Sequence, residues 1–289
     1  MAARTKKKTP KPAPTFAAQL HPLAASRFWE NPDDLDALRV WADALVEQGD
    51  VRGEFLQLAT LEHSSQEQQA RQAALQKKLG GQLVGPARPF LRSWQFGAFG
   101  LVQSIVTEAK LFVPGFELIA QLHPRLTASV TALRKKPLIE QFAALPLERI
   151  HYLIIDWTGL TDDGLRAIAP ALEGVKNLSL AFNDVTRAGL DALAVHATSL
   201  ESLALGTSLN QREQGHTIGI GWIDSLTSHP GFSNLRSVTL YNYHSRPPEE
   251  QLGRLRAMPK MKYVGVGSPL YQLDRLEAAK AGSLKGDPL

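Results

Sequence analysis

Apolar residues recur along this chain in two rhythms. From residue 35 the steps are three and four: Leu35, Leu38, Trp41, Ala42 and Leu45 share one helical face. Asn31-Pro32-Asp33-Asp34 predicts the start of that helix. Asn31 would cap it, Pro32 would take the first helical position, and the two acids would meet the positive end of the dipole. Gly49 suits a left-handed stop, and Asp50 suits the cap of a second helix with Phe55, Leu58, Ala59 and Leu61 on its apolar face. The stretch 41–55, WADALVEQGDVRGEF, thus reads as a joint between two helices. Asp43 and Glu47 share a face at i and i+4. Without His, Cys or a third acid at ligand spacing they read as exposed helix acids, not as acid–base or metal groups. Asp43 is expected to pair with Arg52 or to cap the second helix. A DNA-reading helix-turn-helix has a similar outline, but its second helix would begin Asp50-Val51-Arg52-Gly53-Glu54, one cation among acids facing a polyanion.

Further along, the rhythm becomes a repeat. IHYLIIDWTGLTDDGLRAIAPAL from Ile150 and VKNLSLAFNDVTRAGLDALAVHA from Val175 align without a gap. Leu153, Ile155, Leu160 and Leu165 fall on Leu178, Leu180, Val185 and Leu190, a period of about 25 residues. L-x-x-L-x-L puts alternate side chains of a short strand inward and leaves the x positions on the opposite face. Asn183 stands where the chain turns and can bond the neighbouring backbone, and Thr158 and Ser208 hold the same slot in the flanking repeats. The segments DDGLRAIA and RAGLDALA read as return helices, with Asp162 and Asp163 as caps. Leu200–Leu205, Leu235–Leu240 and Met261–Val266 continue the strands; LVQSIVTEA and RLTASVTAL begin them, about seven in all. NQREQGHTIGIGW lengthens one repeat by about ten residues.

Two resemblances rest on these residues. Ala42-Asp43, Gly49-Asp50 and Arg52-Gly53-Glu54-Phe55 make residues 31–62 similar to the bacterial repeat-companion domain, and ARPFLRSWQFGAF extends the likeness more loosely through 63–100. That resemblance carries over no activity to this chain; what it implies is a neighbour made of repeats. Residues 100–268 resemble a leucine-rich repeat solenoid of the ribonuclease-inhibitor-like kind, and the GLxAIA and GLxALA helices are similar to the GALA-type subclass of bacterial effectors. No F-box-like segment precedes them, so no ubiquitin-ligase role is implied. The expected fold class is α/β: a leucine-rich repeat solenoid with a parallel concave sheet, convex helices and an N-terminal α-helical cap. The expected divisions are 1–25, a disordered basic tail; 26–99, the helical repeat-companion capping module; 100–268, the repeats; and 269–289, a capping helix and tail. YQLDRLEAAKAG supplies that last helix, because the end of a solenoid exposes core unless it is covered.

Composition narrows the chemistry. The chain has 289 residues and no cysteine, which excludes disulfides, thiolate nucleophiles and Cys-based metal sites and fits a reducing, cytoplasmic setting. No apolar run reaches the roughly 18 residues of a membrane helix. Arg4, Lys6, Lys7, Lys8 and Lys11 stand in a tail without acids; without them the formal net charge of +4 becomes −1. The tail reads as a solubilising leader. Weak contacts of Lys6, Lys7, Lys8 and Lys11 with an anionic surface give the alternative of a nucleic-acid or membrane adaptor.

Catalytic motifs are missing: neither G-x-x-x-x-G-K-S/T nor G-x-S-x-G occurs. Gly219-Ile-Gly221 is a fragment of a dinucleotide fingerprint and reads as flexibility in the insertion. His196, His216, His229 and His244 are scattered and meet only if the repeats align them. The outward strand positions instead carry Tyr152, Asp156, Trp157, Phe182, Tyr241, Asn242 and Tyr263, aromatics with few charges, as in protein-binding hot spots. Gly206, Gly265 and Gly267 leave gaps there for a partner's side chain. The expected function is a non-catalytic scaffold or inhibitor that binds a protein partner on its concave face, with no cofactor and no metal. An enzyme with a site in the 208–222 insertion is the remote third class.

Overall fold

Asp34, not Asn31, starts the first helix. Asn31 N–H bonds to the Arg27 carbonyl and so closes a helical turn at 27–30, while the Asp34 side chain accepts from Ala37 N at 2.9 Å and caps α1 (Leu35–Glu47). Proline at 32 cannot donate to a preceding turn, so the two helical pieces are separate. The computed structural model describes residues 27–97, 99–208, 215–241 and 247–267. The helices up to Arg88, with Phe99, Gly100 and Leu101, form one compact unit; Pro89–Gly97 and the chain from Val102 onward form the other.

In the helical unit Gly49 takes φ +71° and Asp50 caps α2 (Val51–Ala59) through Arg52 N, as the pattern predicts. Gly53 has a steric reason. A Cβ there would lie 2.6 Å from Val46 N and 2.7 Å from the Ala42 carbonyl, so only glycine lets α2 approach α1 this closely. Arg52 folds its guanidinium back onto Asp50. Asp43 is therefore left to accept from Gln57 Nε2 at 2.6 Å, instead of from Arg52. Phe28, Leu38, Trp41, Leu45, Leu56 and Leu101 form the buried cluster of this unit. A third helix, α3 (Gln66–Val84), opens with a capping box between Ser65 and Gln68.

Among the described residues the second unit holds an eight-stranded sheet in chain order. Its strands are β1 (Ser93–Phe96), β2 (Val102–Glu108), β3 (Thr127–Thr131), β4 (Tyr152–Ile154), β5 (Asn177–Asn183), β6 (Ser202–Thr207), β7 (Ser237–Tyr241) and β8 (Tyr263–Gly267). All pairs are parallel except β1 on β2. The seven strands expected from the repeat appear as β2–β8; β1, within residues 26–99 expected to form the helical capping module, is an addition. The connections carry α4 (Ala109–Ile119), α5 (Lys136–Ala143), α6 (Asp162–Ile168), α7 (Arg187–Ala194), α8 (Gly215–Ser228) and α9 (Glu249–Arg256). This α/β arrangement is compatible with an α/β solenoid. The inward row Ile105, Ala128, Leu153, Leu178, Leu203 and Val238 is at most 1% exposed. Among the described residues no helix is long and apolar enough to cross a membrane.

Two sequence details resolve differently. Gly219 and Gly221 lie inside α8, not in a flexible loop; the helix is anchored by buried Trp222, whose Nε1 donates to the Val185 carbonyl at 3.2 Å. Thr161, not an aspartate, caps α6; Asp162 accepts from Thr186 N at 2.7 Å and from Thr186 Oγ1, and Asp163 pairs with Arg166. The expected C-terminal helix and the basic tail lie outside the described residues, as do residues 209–214 of the insertion.

Candidate functional site

Three residues spaced by 25, at or just past the ends of their strands, take the left-handed region: Ala132 (φ 60°), Trp157 (φ 55°) and Phe182 (φ 62°). For bulky side chains this conformation is strained by about 1–2 kcal/mol. The following slot explains why the turn persists. Asn183 Oδ1 accepts from Thr158 N (3.0 Å), Thr158 Oγ1 (2.9 Å) and Leu160 N (3.1 Å), while its Nδ2 donates to the Ile155 and Leu180 carbonyls. One buried amide thus satisfies turns in two successive coils. The next slot works differently: Ser208 donates to Asp184.

The strain is offset by stacking. The Trp157 and Phe182 rings lie 4.4 Å apart at 22°, and Tyr241 leans on Phe182 with centroids 5.5 Å apart. Phe182 does not project from the face as its register suggested, being only 2% exposed. The expected gaps are filled by the protein's own rings. A Cβ on Gly206 would meet Tyr241 Cβ at 3.0 Å and Phe182 Cε1 at 3.2 Å; one on Gly267 would meet Tyr241 Cδ1 at 2.8 Å; one on Gly265 would meet the Tyr263 ring at 2.7 Å. Glycine here makes room for aromatic packing within the chain.

Register orders the outward face. One row runs Ser104, Thr127, Tyr152, Asn177, Ser202, Ser237 and Tyr263 across β2–β8. At the other end of the strands, Asp156 stands beside Ala181 in the row that holds Gly206, Tyr241 and Gly267, because Ile155 N and Trp157 N donate to the Ser179 and Ala181 carbonyls. Asp156 Oδ1 accepts from Ser179 Oγ at 2.7 Å and from Ala181 N at 2.8 Å. Desolvation by the surrounding protein nevertheless pushes its pKa up to about 7. Tyr152, half-buried, is pushed up to about 12 by burial and then by its closeness to Asp156 and Tyr241.

The face therefore gathers Tyr152, Asp156, Trp157, Phe182 and Tyr241. Tyr263 stands apart on β8, 58% exposed. Asn242 lies outside the described residues. Ser179, which sequence reasoning did not single out, holds the carboxyl; its signal was its outward position between Leu178 and Leu180. Among the described residues no group of three or more His, Asp or Glu is placed to hold a metal. His229 Nε2 sits 3.0 Å from Asp191 Oδ1 in place of meeting other histidines, and the His216 side chain and His244 lie outside the described residues. Comparison with protein-family models and with curated proteins found no match.

Proposed function

We propose that this chain is a non-catalytic, cytoplasmic interaction module of the leucine-rich-repeat kind, preceded by a repeat-companion module, which scaffolds or inhibits a protein partner docked on the outward, concave face of its sheet. The 25-residue offsets between paired strands and the Asn183 bonds support the repeat reading. The observation that carries the docking reading is the composition of the face: Ser, Thr, Ala and Gly form a low floor, and Tyr152, Trp157, Tyr241 and the exposed Tyr263 rise from it. Tyrosine and tryptophan supply large contact area with few rotors, which suits binding hot spots.

The test uses a photo-crosslinking residue in place of Tyr152 or Tyr263, with Val195, 72% exposed in the turn after α7, as control. The same protein should be recovered from the two face positions and not from position 195. Excess wild-type chain should abolish the crosslink, and a Tyr152→Ser/Tyr263→Ser chain should compete at least tenfold less well. Equal recovery from position 195 would refute the docking face. Trp157 and Tyr241 are unsuitable for this test, because truncating them also removes packing on Phe182.

A further inference from the structure

We infer that Asp156 receives a lysine ammonium presented by the docked protein; this rests on the docking reading above. The outward positions of β2–β8, taken with Asp156 just past β4, carry two acids, Glu108 and Asp156, and no lysine or arginine. Glu108 is already neutralised by Arg92 and Lys110. Asp156 is paired with no cation among the described residues. Both of its hydrogen bonds fall on Oδ1, which leaves Oδ2 as the acceptor for an incoming donor. A single acceptor oxygen suits the point charge of an ammonium better than the two-pronged guanidinium of arginine. A neighbour favours a cation too, since Tyr152, close to Asp156, offers an aromatic ring beside the carboxyl.

A desolvated carboxylate without a counter-charge is costly. The free chain avoids that cost by keeping the proton to about pH 7. When the ammonium arrives, the Asp156 proton leaves to solvent and the O⁻···H–N⁺ contact replaces it, so charge and protons balance. The groups placed near Asp156 are Tyr152 on β4 and Ser179 and Ala181 on β5, with neutral Thr131 at the matching position of β3 and Tyr241 of β7 near Tyr152. None of them is cationic, so affinity for an ammonium should fall as pH drops below about 7, at most tenfold per unit.

The experiment follows the carboxyl ¹³C signal of Asp156 in the full chain during titration with Nα-acetyl-lysine methylamide. The Nε-acetylated analogue and the corresponding arginine amide serve as comparisons. The lysine probe should lower the Asp156 midpoint by about one unit, a tenfold linkage, and should bind more tightly than either comparison. Asp156→Asn keeps an oxygen for Ser179 and Ala181 and should lose the probe at least tenfold. If that variant misfolds, the midpoint shift in the wild type still decides. An unmoved midpoint, or equal affinity for the neutral or the arginine probe, overturns the inference. Crosslinking from Tyr152 separates the two readings. Loss of the crosslink with added lysine probe supports a partner lysine. Probe binding that leaves the crosslink intact overturns its assignment to the partner. A persistent crosslink with no probe binding leaves the docking face standing and this inference refuted.

Discussion

His123 is 7% exposed; its Nδ1 accepts the Arg125 N–H at 2.9 Å, and burial, then Arg125, lowers its pKa to about 4. The unfolded ring takes up a proton near 6.5, so the folded state binds fewer protons below that pH and stability is lost as pH falls from 6.5 toward 4. Asp156 runs the other way. Its pKa rises from 3.8 to about 7, so its contribution is fully present below 3.8 and is lost as pH climbs through about 7. Asn at 123 can still offer an oxygen to Arg125 N. His123→Asn should therefore lose less Tm than wild type between pH 6.5 and 4, read by circular dichroism melts across that range; parallel curves would show that His123 is not the titrating group. Nothing in QLHPRL marks a histidine as buried, because that depends on the strand beside it. Asp156 was legible as an outward residue, whereas its desolvation comes from the protein packed around it, and its hydrogen-bond partners Ser179 and Ala181 stand more than 20 residues away.

Between elements, Asn183 is the principal stitch. It bonds the turn after β4 and the end of β5 through five hydrogen bonds, all in buried surroundings. Asn183→Ala leaves backbone groups of both coils without partners, each worth about 1–3 kcal/mol when buried. We expect a loss of about 3 kcal/mol or more in urea unfolding, with Trp157 fluorescence perturbed because its turn is the one released. A loss below about 1 kcal/mol would mean that water or neighbouring groups replace the amide. The alignment of the two repeats made this slot readable, since the asparagine and Thr158 stand 25 apart. It could not reveal the left-handed Trp157 and Phe182, because bulky residues argue against positive φ, and only their mutual stacking explains the choice. The dinucleotide-like Gly219-Ile-Gly221 misled for a related reason: glycines in a helix look like a loop until Trp222 is seen packed beneath Val185.

For the whole sheet, among the described residues, each strand bonds its neighbours in chain order. Protection should therefore be graded. Amides of β4, β5 and β6 are bonded within the sheet and flanked on both sides, while β1 and β8 have one neighbour each among the described residues. Hydrogen exchange read by mass spectrometry should be slowest in β4–β6 and fastest in β1 and β8. A β8 as protected as β5 would reveal another segment covering that edge. The strand order follows from the period alone: a repeat of about 25 residues holding one strand and one helix can only add parallel strands side by side, and inward leucines set which face is buried. Helix ends such as Gly49-Asp50 were equally local, written in backbone preference and capping chemistry. Tertiary structure alone decided the remainder. The antiparallel β1, the pairing of Asp43 with Gln57, the burial of Phe182 and the rings filling the glycine gaps all depend on which side chains meet in space, which spacing along the chain does not specify. Local preference and period act through neighbours along the chain, whereas packing and desolvation act through neighbours in space.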